Sequence, residues 1–368
     1  MIMKSSIILG WFTTFLQLTL RFSWGIIAVV FAYTLHLNSV EIGSVLFLFY
    51  LGYITSSTLW GIFIDRVGPK TTLFISTFLS SLLIPLIPMS GSVSALYLLY
   101  LVEGILTAGI YPSSVKILSS SEGRLTSNLA LLDSAAPTVM LVLSLFSPLI
   151  LVYWRWFFVF LFFSFLLSSF LVLPLRIKVN LSRHSIRVVK NRKVWIMALI
   201  RLGEQWGLWG TSSWLFPFLV LYDGVGRGES EILLVTYAIG QVMSIFLVRL
   251  LKSEVKIIET SLIAFIVSLV ILSLTKDFFL LTPFSFILGI SSFLCRPPTD
   301  SLVVKVVGSG SAGTSMGFAN AVSQLGSMIA PFVVGLVLNT GNYVIAIDSL
   351  ALGPLLSLVL LEIDLNFN

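Results

Sequence analysis

The sequence predicts an all-α membrane protein in which twelve helices cross the bilayer as two pseudo-symmetric bundles of six. Hydrophobic residues make up 57% of the 368 residues and charged residues only 10%, and the mean hydropathy is +1.04. No water-soluble domain of this size could place so much apolar surface against water. A spanning helix needs roughly 20 mostly apolar residues that satisfy their own backbone hydrogen bonds, so the long apolar runs are predicted to be helices.

Polar residues and Gly/Pro positions divide the chain into twelve apolar segments. The first apolar run, 7–35, is too long for the apolar core of a cleavable signal and lacks a small-residue cleavage site, so we interpret it as the first spanning helix. The predicted segments are 7–34, 41–63, 71–89, 93–118, 126–152, 155–175, 194–221, 230–251, 257–275, 279–304, 312–338 and 343–361.

The longest polar interruption predicts the domain organisation and the orientation. It carries Lys and Arg residues but no Asp or Glu, which is typical of a cytoplasmic loop. We therefore predict an N-terminal six-helix bundle over 1–175, a basic cytoplasmic linker over 176–193 and a C-terminal six-helix bundle over 194–368. Most other Lys and Arg residues fall on the linker's side, whereas Arg155, Arg227 and Lys276 fall opposite. Both termini are then cytoplasmic, in a multi-pass protein of the cell membrane.

The two halves show signs of an internal repeat. Segments one and seven each carry an Arg followed by Trp-Gly, in "LRFSWG" at 20–25 and "IRLGEQWG" at 200–207. Segment four has Gly104 and Pro112 eight residues apart, and segment ten has Gly289 and Pro297 at the same spacing. Parallel repeats of this kind are typical of carriers whose substrate site lies near the middle of the bilayer.

A charged motif after segment two resembles the signature of the major facilitator superfamily. "GIFIDRVGPK" at 61–70 matches that signature at Gly61, Asp65, Arg66, Gly68 and Lys70. The segments "VEGILTAGIYP" at 102–112 and "GTSMGFANAVSQLGSMIAPFVVG" at 313–335 look like the family's fourth and eleventh helices. The resemblance runs from about residue 7 to 361. It implies a carrier that works by alternating access, with the five signature residues acting as a conformational latch.

Within the superfamily, the first-helix Arg and the residues before the signature resemble the anion:cation symporter and organic anion branches. In those branches, arginines of the first and seventh helices bind anionic substrates. Tyr100 stands where many members carry an Arg in the fourth helix, and the fifth helix lacks the Gly-Pro pattern of drug/proton antiporters. An exporter of multiple drugs or amphipathic compounds from the same superfamily remains the alternative.

Ionisable residues inside the predicted spans are candidates for function. A charge at mid-bilayer costs at least about 2.5–3.5 kcal/mol, so such residues are rare without a role. The cationic and acidic candidates are Arg21, Arg201, Arg296, Glu103, Asp133, Glu204 and Asp300.

The spacing of these charges separates two interpretations. Arg201 and Glu204 are three residues apart and Arg296 and Asp300 four apart, so each pair could meet on its own helix as a structural ion pair. Arg21 has no acidic residue within two turns, so its partner is a ligand or another helix, where Asp133 and Glu103 are available. We predict Arg21 as the principal anion-binding residue, because a guanidinium matches a carboxylate or phosphate with two parallel hydrogen bonds.

The remaining predicted site residues line or shape the same region. Pro297 and Pro298 would break the tenth segment beside Arg296, as carriers do at binding sites or hinges. The substrate-binding prediction comprises Arg21, Arg201, Glu204, Arg296, Asp300, Trp24, Trp206 and Tyr111. A coupling proton would need a buried carboxyl, for which the candidates are Glu103, Asp133, Glu204 and Asp300. The sequence does not distinguish a symporter from an antiporter.

Other functional classes are disfavoured by what the sequence lacks. The single cysteine, Cys295, allows no intramolecular disulfide and no cysteine metal cluster. "GSGSAG" at 308–313 fits GxGxxG, but an apolar spanning segment follows where a dinucleotide site needs an acidic residue. An HExxH motif is absent. We therefore expect no enzyme activity, no metal or cofactor and no nucleic-acid partner. The expected protein is a monomer in the lipid bilayer that binds a small solute, with or without a coupling proton or ion.

Overall fold

The computed structural model describes residues 2–119, 131–174, 191–248, 250, 253–307 and 312–364. Most of the predicted linker, 176–190, and the first four residues of the "GSGSAG" turn lie outside these residues. Contacts divide the chain into two compact units, each described by itself below. Unit 1 comprises Met1–Leu37 and Leu48–Ser182, and unit 2 comprises Asn38–Phe47 and Arg183–Asn368.

Unit 1 is built from helices that correspond to the first six predicted segments. In chain order they are α1 (Ile2–Phe22), α2 (Trp24–Leu35), α3 (Ser39–Val67), α4 (Pro69–Leu83) with a 3₁₀ turn (Ile84–Met89), α5 (Val93–Thr107), α6 (Ile110–Ser119), α7 (Ala135–Leu145), α8 (Ser147–Val152) and α9 (Trp154–Val172). Segments one and four are therefore each split into two helices, and segment five, described from residue 131, is interrupted at Ser134 and Phe146.

Unit 2 contains the helices of the last six segments. They are α10 (Arg192–Phe218) with a π-helical turn (Leu219–Asp223), α11 (Arg227–Leu247), α12 (Glu254–Leu274), α13 (Phe278–Leu294), α14 (Arg296–Val307), α15 (Ala312–Leu338), α16 (Tyr343–Asp348) with a 3₁₀ turn (Ser349–Ala351), and α17 (Leu352–Asp364). The first nine residues of α3 also belong to this unit. There the α3 backbone at Gly43 approaches Pro331 of α15 so closely that a Cβ would lie 2.5 Å from the Pro331 carbonyl oxygen.

Ten helical stretches among the described residues are long and apolar enough to cross a membrane. The protein is thus an all-helical multi-pass membrane protein, while the count of twelve crossings remains a prediction. Segment five, described only from residue 131, contributes the shorter apolar helix Leu131–Leu145. Segment seven forms the long helix α10, which is outside the ten apolar stretches and carries Arg192, Lys193, Arg201 and Glu204.

Within each unit, two helices cross at a glycine. In unit 1, Gly104 of α5 lies against the backbone of Phe49 in α3, where a Cβ would come within 1.9 Å of the Phe49 carbonyl oxygen. In unit 2, a Cβ on Gly289 of α13 would come within 2.0 Å of the Tyr237 carbonyl oxygen in α11. Small residues allow such close approach, which favours packing between helices in lipid.

Candidate functional site

Arg21 lies where the first segment breaks. Helix α1 ends at Phe22 and α2 begins at Trp24, and the Ser23 hydroxyl between them donates to the Leu20 carbonyl at 2.8 Å. Arg21 is buried, and its guanidinium carbon lies 4.7 Å from the centroid of the Phe22 ring and 5.1 Å from that of Tyr50 in α3. Both distances are within the range of cation–π attraction. The rings therefore hold the guanidinium plane in place.

Polar side chains of three helices, including Gln17 one turn before Arg21, fix the break between α5 and α6. The Gln17 amide donates to the Thr107 carbonyl at 3.0 Å, the Ser76 hydroxyl donates to the Leu106 carbonyl, and the Trp60 indole donates to the Ile105 carbonyl at 2.7 Å. Three consecutive carbonyls at the end of α5 thus accept hydrogen bonds from α1, α4 and α3. The partners compensate for the backbone bonds that the break removes.

Glu103 is a fully buried carboxyl group in α5. Its Oε1 accepts a hydrogen bond from the Ser80 hydroxyl of α4, whereas its Oε2 has no hydrogen-bond partner among the described residues. Within that part of the chain Glu103 forms no ion pair. Arg21 is therefore not paired with Glu103, which was one of the two acidic partners considered from the sequence.

Of the other predicted residues of unit 1, Tyr111 and Asp133 form a polar contact and Trp24 lies in the core. The Tyr111 hydroxyl of α6 donates to Asp133 Oδ1 at 3.4 Å. Trp24 is buried and packs against Tyr100 and Phe31, with ring centroids 5.2 Å and 5.7 Å away. Trp24 thus packs against α5 through Tyr100.

Unit 2 gathers four of the predicted charged residues at the break between α13 and α14. The buried Arg201 of α10 forms an ion pair with Asp300 in the first turns of α14. Pro297 and Pro298 directly follow Arg296 at the start of α14, where they cannot donate backbone hydrogen bonds to α13. The break therefore sets Asp300 beside α10, and the ion pair of Arg201 crosses between helices instead of staying within α10.

Glu204 has a different partner from the one its spacing suggested. The Thr299 hydroxyl of α14 donates to Glu204 Oε1 and also lies 3.0 Å from the Cys295 carbonyl. Arg201 and Arg296 are both within electrostatic range of this carboxyl. The Arg296 guanidinium carbon also lies 5.7 Å from the centroid of Phe293. Thr299 and Ser80 are site residues that sequence reasoning missed, because a Ser or Thr in an apolar helix gives no signal of the helix it faces.

Trp206 lies away from this cluster. Its indole donates to the Ser349 carbonyl at 3.0 Å, and its Cβ lies against Gly353 of α17. Trp206 therefore joins α10 to the last helices of unit 2.

The signature residues surround the turn between α3 and α4. Gly68 has a φ of 93°, which favours glycine, and Pro69 starts α4. Asp65 forms an ion pair with Lys116 of α6, so one end of α3 is tied to another helix of unit 1. Gly61 and Arg66 lie in the last turns of α3, and Lys70 lies in the first turn of α4. In unit 2, Glu254 at the start of α12 pairs with Lys305 of α14 at 2.7 Å.

A second ion pair lies at the C-terminal end of α10. Asp223 ends the π-helical turn, and its backbone carbonyl accepts a hydrogen bond from Lys276 Nζ at 2.6 Å, with Asp223 Oδ1 3.4 Å from the same nitrogen. Burial raises the pKa of the Asp223 carboxyl above its ordinary value, against the opposing effect of the Lys276 charge. Lys276 thereby fastens the loop after α12 to the end of α10.

The comparisons with known proteins agree with this architecture. The sequence profile of the Major Facilitator Superfamily matches residues 10–331. None of the curated proteins matches the sequence. A bacterial homologue of the human lysosomal transporter Spinster, in an inward-facing and occupied conformation, has a similar structure with a TM-score of 0.81 at 13% identity, covering 98% of this chain and 96% of that one.

A second similar structure is a mutant of the nucleoside transporter NupG. Its TM-score is 0.75 at 16% identity, covering 99% of this chain and all of that one (100%). At these identities the likeness shows the fold alone. Together with the profile match, it indicates a transporter and not an enzyme.

Proposed function

We propose a function from the premise that this chain belongs to the Major Facilitator Superfamily: it carries a small organic anion across the cell membrane by alternating access between two six-helix bundles. The proposal includes twelve crossings and cytoplasmic termini, as predicted from the distribution of Lys and Arg. Small polar solutes need such a carrier because lipid excludes them.

The observation that carries the proposal is the setting of Arg21. Burying a guanidinium in a membrane costs free energy, so an intramembrane Arg is a candidate for a functional residue. Two aromatic rings lie over Arg21 at 4.7 Å and 5.1 Å, and an anion binds the N–H edge of a guanidinium, not its faces. A planar fork of this kind matches a carboxylate or phosphate with two parallel bonds. Arg21 is thus the principal anchor.

Arg201 is the second proposed anchor, in unit 2. It is as deeply buried as Arg21, but it forms an ion pair with Asp300 of the same unit. Arg296 and Glu204 complete the polar cluster around it. The carboxyls Glu103, Asp133, Glu204 and Asp300 remain the candidates for proton coupling.

The signature turn is proposed to bias the conformational equilibrium. Asp65 is tied to Lys116 by a partly exposed ion pair, of a kind that contributes at most about 1 kcal/mol. An interaction of that size shifts the populations of two states without fixing either.

A multidrug or amphipathic-compound exporter is the second candidate. It is favoured by the aromatic residues around Arg21, which include Phe22, Tyr50 and Tyr53. Amphipathic cations bind aromatic faces, whereas small anions bind the guanidinium edge.

A ligand screen separates the two candidates. Purified protein in detergent is heated with lactate, benzoate, glycerol 3-phosphate, neutral glycerol or the lipophilic cation tetraphenylphosphonium, because a ligand that prefers the folded state raises apparent stability. We expect at least one anion, and neither glycerol nor the cation, to raise the unfolding midpoint. Arg21→Lys should lose that response. Stabilisation by tetraphenylphosphonium alone would favour the exporter.

The matched control is Arg155→Lys. Arg155 also lies over an aromatic ring, 5.0 Å from the centroid of Trp154, but outside the predicted site. Its substitution should leave the response to anions unchanged. An equal loss in both variants would mean that the response does not report on the Arg21 site.

A further inference from the structure

Glu103 is an acidic side chain inside an apolar helical stretch and has no basic partner among the described residues. It lies in the stretch Val93–Ile117 and is fully buried. Within the described part of the chain no Lys, Arg or His forms an ion pair with it, and its Oε2 accepts no hydrogen bond. An ionised carboxylate in such a place is costly unless a positive charge balances it.

A second buried oxygen without a partner lies beside Glu103. The Tyr100 hydroxyl, one turn earlier in α5, is fully buried and has no hydrogen-bond partner among the described residues. It is within electrostatic range of the Glu103 carboxyl. The Tyr100 ring packs edge-on against Trp24, with 5.2 Å between the centroids, and this contact restricts its rotation. Buried polar groups are normally satisfied, so two neighbouring oxygens without partners mark a site for a further ligand.

Helix α4 adds hydroxyl oxygens on the side that faces Glu103. The Ser80 hydroxyl donates to Glu103 Oε1, and Ser80 lies in the last turn of α4, which ends at Leu83. Thr77, one turn before Ser80, is also fully buried, and its hydroxyl donates to the Leu73 carbonyl at 2.7 Å, so its oxygen lone pairs remain available. The C-terminal end of a helix carries partial negative charge, which favours a cation over an anion.

This set of groups fits one small monovalent cation. All the available ligand atoms are oxygens, which hard cations prefer. One carboxylate balances a single positive charge, whereas a divalent cation would leave a buried positive charge uncompensated. A proton fits less well, because on Oε2 it finds no acceptor among the described residues and on Oε1 it displaces the hydrogen bond from Ser80. Close packing of buried side chains favours sodium or lithium over the larger potassium ion.

We propose that Glu103, Ser80 and Tyr100 bind one sodium ion between α4 and α5. Both helices belong to unit 1, so the ion joins two helices of the same unit as a structural ion. Glu103 then leaves the candidates for proton coupling. The proposal goes beyond the proposed function and does not depend on it, because it involves neither Arg21 nor the cargo.

The test is thermal unfolding of the purified protein in detergent at constant ionic strength. Choline chloride is replaced stepwise by sodium, lithium or potassium chloride, because a ligand that binds the folded protein alone raises the unfolding midpoint. At ten times the dissociation constant, sodium should change the folding equilibrium about tenfold and raise the midpoint by about 2–5 °C. Lithium should act in the same way, and potassium at equal concentration should have a smaller effect.

Three substitutions identify the ligands. Glu103→Gln keeps the shape of the side chain but removes its charge, so it should be at least as stable as the parent in choline chloride and show no response to sodium. Tyr100→Phe keeps the ring packed on Trp24 and removes only the hydroxyl, so it should need about tenfold more sodium for the same response. Ser80→Ala should weaken the response in the same direction.

Asp133→Asn is the matched control. Asp133 is another carboxyl group of unit 1, and it accepts a hydrogen bond from the Tyr111 hydroxyl at 3.4 Å. Its substitution should leave the sodium response unchanged. An equal loss of the response in Asp133→Asn and Glu103→Gln would overturn the assignment to α4 and α5.

Three further outcomes would contradict the sodium site. Equal midpoints of the parent in choline chloride and sodium chloride would exclude a bound sodium ion. A sodium response retained in Glu103→Gln would place the ion elsewhere. A parent midpoint that rises with acid but not with sodium, together with no such rise in Glu103→Gln, would assign a proton to Glu103. All three leave the anion proposal untouched, since that proposal is tested with anions and Arg21→Lys.

Discussion

Gly289 in α13 lies against the backbone carbonyl of Tyr237 in α11, as closely as Gly104 in α5 lies against that of Phe49 in α3. The two ideal Cβ positions come within 2.0 Å and 1.9 Å of the respective oxygens. Gly240 and Gly52 lie three residues after Tyr237 and Phe49, and each also faces the partner helix. The two units therefore share a packing device at equivalent places of the sequence repeat.

Valine at either crossing should destabilise the protein. Gly104→Val and Gly289→Val would force the helices apart, at a cost of about 1–3 kcal/mol or more for overpacking. We expect each variant to unfold at a lower temperature, measured by tryptophan fluorescence in detergent. Gly61→Ala is the control, because Gly61 is also helical but has no neighbour among the described residues within 4 Å of its Cβ position. Equal midpoints for Gly104→Val and Gly61→Ala would refute the close crossing.

The Ser80 hydroxyl should stabilise the buried Glu103 carboxyl. Ser80→Ala removes its one hydrogen-bond partner among the described residues, and an unsatisfied buried polar group costs about 1–3 kcal/mol. Combining Ser80→Ala with Glu103→Leu should recover much of that loss, because the apolar side chain needs no partner. Urea-induced unfolding in mild detergent checks both variants. A Ser80→Ala protein as stable as the parent would contradict the contact.

Stability should depend on pH through Asp223. Burial raises the pKa of this carboxyl in the folded state, so the folded protein binds more protons than the unfolded chain between the two pKa values. The stability from this group therefore falls as pH rises through that window. Asp223→Asn should remove this component of the pH profile of the unfolding midpoint. Asp277→Asn, which keeps the cap of α13, should retain it, and identical profiles for Asp223→Asn and the parent would count against the assignment.

The Asp65–Lys116 pair should affect the conformational balance. Cys295 is buried and is the chain's one cysteine, so its rate of labelling by a maleimide reports on how often the region around it opens. Asp65→Asn and Lys116→Met should change that rate in the same direction, by up to about fivefold, the equivalent of about 1 kcal/mol.

The control for this latch is Glu231→Gln. It removes another exposed ion pair, with Arg227 at 3.1 Å, that lies within α11. Its labelling rate should equal that of the parent. Unchanged rates in Asp65→Asn and Lys116→Met would exclude a role for the pair in opening.

The sequence predicts the features that a membrane imposes on a single stretch of chain. The apolar segments predicted the helices because each must satisfy its backbone within one stretch. Pro297 and Pro298 predicted the break before α14, which the structure has. The Ser23 break beside Arg21 was not predicted, because no proline or glycine at that position marks it.

Partners across helices were beyond the sequence. Spacing suggested that Arg201 would pair with Glu204 and Arg296 with Asp300, because side chains three or four residues apart on one helix are neighbours. The break at Cys295 instead turns Asp300 toward Arg201 and Thr299 toward Glu204. The contacts between helices depend on the packing of whole bundles. No local pattern in a single sequence indicates which helices are neighbours.

The central claim, that this chain carries a small anion held by Arg21, is tested most directly by uptake in proteoliposomes. The parent, Arg21→Ala and Arg155→Lys are reconstituted at equal protein content, and accumulation of radiolabelled lactate, benzoate and glycerol 3-phosphate is measured with an inward proton gradient. We predict uptake of at least one anion by the parent and by Arg155→Lys, and a loss of at least about tenfold in Arg21→Ala. Uptake by Arg21→Ala equal to that of the parent would contradict the account.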